Sequence, residues 1–186
     1  MLTIQQIIDE ADLLVPNSYQ LADKVNWLNK INSEFFENVK IPVSTIFMTT
    51  LNQSSYLLPN EVRGNNIDHV QLGLLTYSSM NYEDVRSSQI FYIFDDSTHK
   101  ITFYPEPYAA AQQTVVRYHR IATSSFTTGT LSAKPDAPGE YHWIYVNGLC
   151  ERIAKANGDV EKANNYGNDY RNGLATAAKN FAKLGD

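Results

Sequence analysis

Apolar residues recur at helical spacing in the first fifteen positions. Ile4, Ile7, Ile8, Ala11 and Leu14 fall on one face, and Asp9, Glu10 and Asp12 fill the other. Thr3 stands three residues before Gln6, the spacing of a capping box. Pro16 closes this helix, because the residue before a proline is pushed out of helical dihedrals. A second helix is expected from Asn17 or Ser18. Its stripe is Leu21, Val25, Leu28, Ile31 or Asn32, and Phe35, flanked by Trp27, with Asp23, Lys24, Asn26, Asn29 and Lys30 mostly off it. So short a connection makes the two helices a hairpin.

From residue 41 the period changes. β-Branched and aromatic residues cluster in short runs, which predict strands at Pro42–Met48, Ser55–Leu58, Ile67–Thr76, Gln89–Phe94, Lys100–Tyr104 and Thr114–Ile121. The Gln89–Phe94 and Lys100–Tyr104 runs flank Asp95-Asp96-Ser97-Thr98-His99, the clearest hairpin of the chain. The run from Val115 to Ile121 mixes polar and apolar residues on both faces, which suits an edge or an interface. Thr123 to Pro138 is rich in Ser, Thr, Gly and Pro and reads as a long loop; its stretch from Ser124 is expected to order only on assembly.

Helical spacing returns after Pro138. Trp143, Val146, Cys150, Ile153 and Ala154 form one stripe over 141–157, widened by Ile144 and Leu149, and Gly158 supplies a left-handed end. Asp159 can cap the last helix. There Val160, Gly167, Leu174 and Phe181 lie seven apart, with Ala163, Tyr170, Ala177 and Leu184 interleaved. Glycine and alanine make this seam narrow, so a neighbouring helix can approach closely, either the preceding helix of the same chain or a helix of another subunit. The expected fold class is therefore α+β: a four-helix core, made of an N-terminal helical hairpin (1–40) and two C-terminal helices (138–186), with a β-rich insertion (41–137) between the second and third helices.

Composition narrows what such a chain can do. It has 186 residues and a formal charge of −5, and 19% of its residues are charged, below the usual quarter. Residues 1–40 hold six acids against three bases. Such a balance does not suit gripping DNA by counterion release. Seventeen Asn and twelve Tyr supply surface polarity instead, a composition suited to protein contacts. No apolar run reaches membrane-spanning length, and the first residues lack the pattern of a signal peptide. One cysteine, Cys150, excludes an internal disulfide.

Candidate chemistry is correspondingly sparse. His69, His99, His119 and His142 are never three or four apart, so none forms a helical metal pair. No nucleophile elbow, phosphate-binding loop or dinucleotide fingerprint is present. Asp95 and Asp96 beside His99 sit at a hairpin tip, where turn chemistry is the simpler reading. Glu61, Glu83 and Asp84 read as loop acids, and Cys150 as a small buried hydrophobe. Arg117, His119 and Arg120 around Tyr118 form the densest basic patch of the insertion, weak support for nucleic-acid binding on an acidic chain. No catalytic, cofactor-binding or metal-binding residue is assigned, and no cofactor is expected.

Four stretches together resemble a known family. They are Leu28-Asn29-Lys30-Ile31-Asn32-Ser33-Glu34-Phe35; Tyr56-Leu57-Leu58-Pro59-Asn60 with Ile67-Asp68-His69-Val70; Ile101-Thr102-Phe103-Tyr104-Pro105-Glu106-Pro107 with Thr114-Val115-Val116-Arg117-Tyr118; and Pro138-Gly139-Glu140-Tyr141-His142-Trp143 with Gly158-Asp159-Val160-Glu161-Lys162-Ala163 and Tyr166-Gly167-Asn168-Asp169-Tyr170. In this order they are similar to the head–tail adaptor (connector, or head-completion) proteins of tailed bacteriophages. The resemblance implies a structural virion protein and not an enzyme. Such adaptors form an oligomeric ring, commonly a dodecamer, between the portal protein and a tail or tail-completion protein, around the channel through which DNA passes; a monomer before assembly is the alternative for the free subunit. It also implies a site in the virion at the head–tail interface, synthesis in the host bacterial cytoplasm, and no membrane. Other phage tail or baseplate proteins, or a glycan-binding module built on the Tyr-rich insertion, are the alternative.

Overall fold

Thr3 opens the first helix as its residue type predicts. Its hydroxyl accepts from the Gln6 amide while the Gln6 side chain accepts from the Thr3 amide, so the capping box is closed. A computed structural model describes residues 1–80 and 90–182. Gln89, the loop acids Glu83 and Asp84, and Leu184 of the heptad lie outside the described residues. Those described hold four helices and seven strands: α1 (Ile4–Leu14), α2 (Leu21–Asn38), β1 (Pro42–Met48), β2 (Ser55–Leu57), β3 (Ile67–Leu72), β4 (Leu75–Ser79), β5 (Phe91–Asp95), β6 (Lys100–Tyr104), β7 (Gln113–His119), α3 (His142–Ala156) and α4 (Val160–Ala182). The fold is α+β, with the strands between the second and third helices.

The chain divides into two compact units. The helical unit is Met1–Ile41 with Ile121–Asp186, and the sheet unit is Pro42–Arg120. The insertion is thus narrower than the expected 41–137. The segment from 122 to 138 lies with the helices because Phe126 and Ala137 are buried in the helical core and Leu131 and Ala133 pack on it.

In the helical unit α2 begins at Leu21, later than expected. Asn17 is used in the linker instead: its Oδ1 accepts from the Tyr19 amide, and its Nδ2 donates to Asp12 and to the Val15 carbonyl. Lys24, expected off the apolar stripe, is 6% exposed, and its ammonium donates to Asp12 at 2.7 Å, which ties α2 to α1. In α4, Ala163, Gly167, Tyr170, Leu174 and Ala177 are buried, whereas Val160 is exposed. This seam is taken up by α3 of the same chain. A side chain at Gly148 would meet the Tyr170 ring, and one at Gly173 would meet Trp143 and Ile144. Trp143 is therefore not a core residue of the α3 stripe; it is half exposed and lies over Gly173.

The sheet unit has the strand order β1-β7-β3-β4-β5-β6-β2. The single run expected over Ile67–Thr76 is two antiparallel strands. Gly73, at φ +58°, turns the chain between Leu72 and Leu75. β7 is not at an edge. It pairs with β1 through Val115↔Ile46 and with β3 through Val115↔Gln71, since Thr114, Val116 and Tyr118 bury one face completely. β5 and β6 form the expected hairpin, closed at Asp95↔Lys100. Aromatic rings fill the interior: Phe103 is fully buried, with Tyr77 5.1 Å and Tyr56 5.9 Å away between ring centroids, and Phe47 lies 4.9 Å from Tyr56. Burial of one such ring stabilises by about 2–3 kcal/mol.

Candidate functional site

The residue types that carry chemistry are dispersed, and most of their polar atoms are engaged locally. Asp95 accepts from the Ser97 hydroxyl at 2.7 Å, the Thr98 hydroxyl at 2.8 Å and the Ser97 amide at 2.9 Å, and these bonds hold its carboxyl down to about 2. Asp96 accepts from the Gly64 amide at 3.0 Å. His99 adopts φ +52° and sits 3.2 Å from the Arg63 guanidinium, which also donates to the carbonyls of Asn60 and Val62. The hairpin loop and the 59–66 segment thus hold each other. His119 lies 3.1 Å from Asp68, and Arg117 is exposed between Ser44 and His69 in the strand register.

His142 is buried in the helical unit. Its Nε2 lies 3.0 Å from the Ala137 carbonyl and its Nδ1 3.0 Å from the Leu2 amide. Nδ1 also lies 2.9 Å from the Leu2 carbonyl, so both ring nitrogens are engaged by backbone groups, a structural use of the ring. Cys150 is fully buried, and desolvation, reinforced by the charges of Glu10 and Asp12, pushes its thiol up to about 12. Among the described residues no group of three or more His, Cys, Asp or Glu is placed to hold a metal ion, and no helix is long and apolar enough to cross a membrane.

What the structure does assemble is a set of polar ties that order the helical unit. Glu34 on α2 accepts from Arg152 on α3 and from the Tyr170 hydroxyl on α4, both at 2.7 Å. Burial alone would raise the Glu34 carboxyl, but those two hydrogen bonds and the charges of Arg152 and Lys30 outweigh it and hold the group low. A second set holds the 122–138 segment as a strap. Asn29 pairs with Phe126 in both directions, its Nδ2 donating to the carbonyl at 2.9 Å and its Oδ1 accepting from the amide at 2.7 Å. Asp136 accepts from the Thr123 and Ser124 amides and from Asn32, each at 2.8 Å, and from the Ser124 hydroxyl at 2.6 Å. The strap's own carbonyls, Leu131 and Ala133, accept from the first-turn amides of Gln5 and Ile4. The expectation that 124–138 orders only on assembly is overturned by these bonds, all made within the helical unit.

The surface left over is where contacts with other molecules can form. Of the six acids in 1–40, Asp12 and Glu34 are neutralised by Lys24 and Arg152, while Asp9, Glu10, Asp23 and Glu37 are exposed. Large apolar side chains are exposed on both units: Leu13 and Val160 on the helical one, Ile46, Met48, Leu57 and Leu74 on the sheet one. These are features for recognition by shape and burial. Sequence reading missed the buried polar residues Lys24, Asn66 and Glu151, whereas Asn32 already stood beside Ile31 as a candidate for the α2 stripe. The one visible hint was Asn29 and Asn32, three apart and hence on one face of α2.

A family model described as SU10 adaptor protein matches residues 2–183. No curated protein matches the chain. A match over nearly the whole chain covers both units and every described element, so the chain belongs to the SU10 adaptor protein family, consistent with a phage head–tail adaptor.

Proposed function

We propose that this protein is a structural component of the virion that forms an oligomeric ring between the portal protein and a tail or tail-completion protein, around the channel for DNA. The observation that carries the reading is the family match over residues 2–183. The protein works by shape and catalyses no reaction. It is made in the cytoplasm of the host bacterium and ends at the head–tail interface. Many copies around a ring allow modest contacts to suffice, because each subunit uses two neighbours.

The charge distribution supports this role. A bore that guides DNA must not bind the phosphates passing through it. Asp9, Glu10, Asp23 and Glu37 are exposed carboxylates of the helical unit, and in the ring several of the chain's acids face the channel. A ring with a strongly basic bore would contradict this part.

The reading is tested by co-sedimentation of the purified chain with the portal protein of the same phage. Binding that saturates at a fixed number of copies per portal is the expected result. No binding at any ratio, or turnover of a substrate lost on a single substitution, counts against it.

A further inference from the structure

Charge is missing from three long stretches of the sheet unit. Residues 42–60, 69–82 and 107–116 contain no Asp, Glu, Lys or Arg. They are far apart in sequence, but the fold brings parts of all three to one end of the sheet. Thr49, at the end of β1, is the junction. Its amide donates to the Gln112 carbonyl and its carbonyl accepts from the Ala111 amide, while its hydroxyl donates to the Ala109 carbonyl and accepts from the Gln112 amide, all at 2.8–3.0 Å. The β3–β4 turn is fixed beside them, with the Gly73 amide donating to the Gln113 carbonyl at 2.8 Å. Loop 49–54, turn 73–74 and segment 109–112 therefore form one bonded end.

This end exposes large apolar side chains among uncharged polar ones, Thr50, Asn52 and Gln53. Leu74 is 97% exposed, Met48 60% and Leu51 52%, and Ile46 stands beside Met48 on the same face of β1. β1 is also a terminal strand of the sheet. Terminal strands usually carry charges that discourage pairing, and this one carries none. Charge resumes at Arg117, level with Ser44, and at Glu106. Single exposed leucines need no explanation, but an uncharged cluster on a rigid end does.

The absence of charge bears on the partner. DNA or a basic partner would be met by complementary charge, and a partner of opposite sign gains from keeping it. A partner of the same sign gains from a contact surface cleared of charge. Each copy of this chain carries −5, so another copy is such a partner. We infer that the uncharged end of the sheet unit, built on Thr49 and presenting Met48, Leu51 and Leu74, is a surface on which a second copy of this chain docks. The inference rests on the ring-forming reading above and names a surface through which copies meet.

Sedimentation velocity of the full chain over a concentration series, at low and high salt, tests it. The variants are Leu51→Glu with Leu74→Glu, and Asn26→Glu at an exposed position of the helical unit as a control for an added surface carboxylate; circular dichroism confirms that each folds. The natural chain is expected to self-associate, and more strongly in high salt, because salt screens the general repulsion while the apolar contact persists. The double variant should weaken association more than about tenfold, as expected for loss of apolar anchors, and Asn26→Glu should leave it unchanged. A natural chain that stays monomeric to its solubility limit, association that weakens with salt, or a double variant that associates like the natural chain would each overturn the proposal. Portal co-sedimentation separates the two readings. Portal binding without association through this end removes the surface and leaves the adaptor; association without portal binding does the reverse.

Discussion

Asn32 on α2 donates a 2.8 Å hydrogen bond to Asp136, a residue 104 positions away, and accepts one at 2.7 Å from the Tyr145 hydroxyl of α3. This single asparagine joins an N-terminal helix, a C-terminal helix and the strap.

Removal of the Asp136 carboxylate should release the strap. It withdraws the acceptor for two amides, two hydroxyls and Asn32, most of them charge-assisted. Asp136→Ala should lower stability by about 2–3 kcal/mol, measured by denaturant unfolding. Limited proteolysis of the natural chain should spare 122–138, and in Asp136→Ala the first cuts should move into it.

Acid should weaken the same unit. Burial raises both carboxyls, but at Asp136 the bonds from Ser124, Asn32 and Thr123 prevail, and at Glu34 those from Arg152 and Tyr170, so both end below their ordinary values. A carboxyl that is lower in the folded state binds fewer protons there than in the unfolded chain. Its stabilisation is complete above the unfolded range, about pH 4, and is lost as pH falls through the folded values. Urea midpoints should drop over that window, and Asp136→Asn should flatten the drop.

The α3–α4 seam has little room. A methyl group at Gly173 would lie 2.8 Å from Trp143 and 2.9 Å from the buried Ile144. Alanine improves helix propensity by about 1 kcal/mol, yet overpacking costs about 1–3 kcal/mol. Gly173→Ala should therefore lower the melting temperature, or leave it level, instead of raising it as an exposed helical glycine would. A clear rise would show that the seam is looser than described.

The elements readable from the sequence were those whose causes are local. The Thr3–Gln6 box and the Asp95–Lys100 hairpin each depend on residues within one turn or loop, and the buried stripe of α4 on residues within one helix. The split of 67–79 into two strands was hidden because Gly73 is set among Leu72, Leu74 and Leu75, and an apolar run masks a two-residue turn. The strap read as a loop because its partners, Asn29 and Asn32, lie roughly a hundred residues earlier and composition carries no trace of that pairing. The uncharged end was unreadable for the same reason: three bland stretches become one surface only after Thr49 joins two of them and Gly73 brings in the third.

Two substitutions at that end should have opposite consequences. Gly73 and Ala111 both sit at φ +58°, a region that costs a residue with a Cβ about 1–2 kcal/mol. Gly73→Ala should lose about 1 kcal/mol, whereas Ala111→Gly should be neutral or stabilising, since relief of strain offsets the added freedom of the unfolded chain. Thermal melts of the pair decide it.

A ring seated on the portal is the proposed working form of the protein. Electron microscopy of the purified chain mixed with portal rings is the most direct measurement. The predicted images show an added annulus of density, coaxial with the portal and with an open channel. Bare portals beside free protein at saturating concentration would contradict the account.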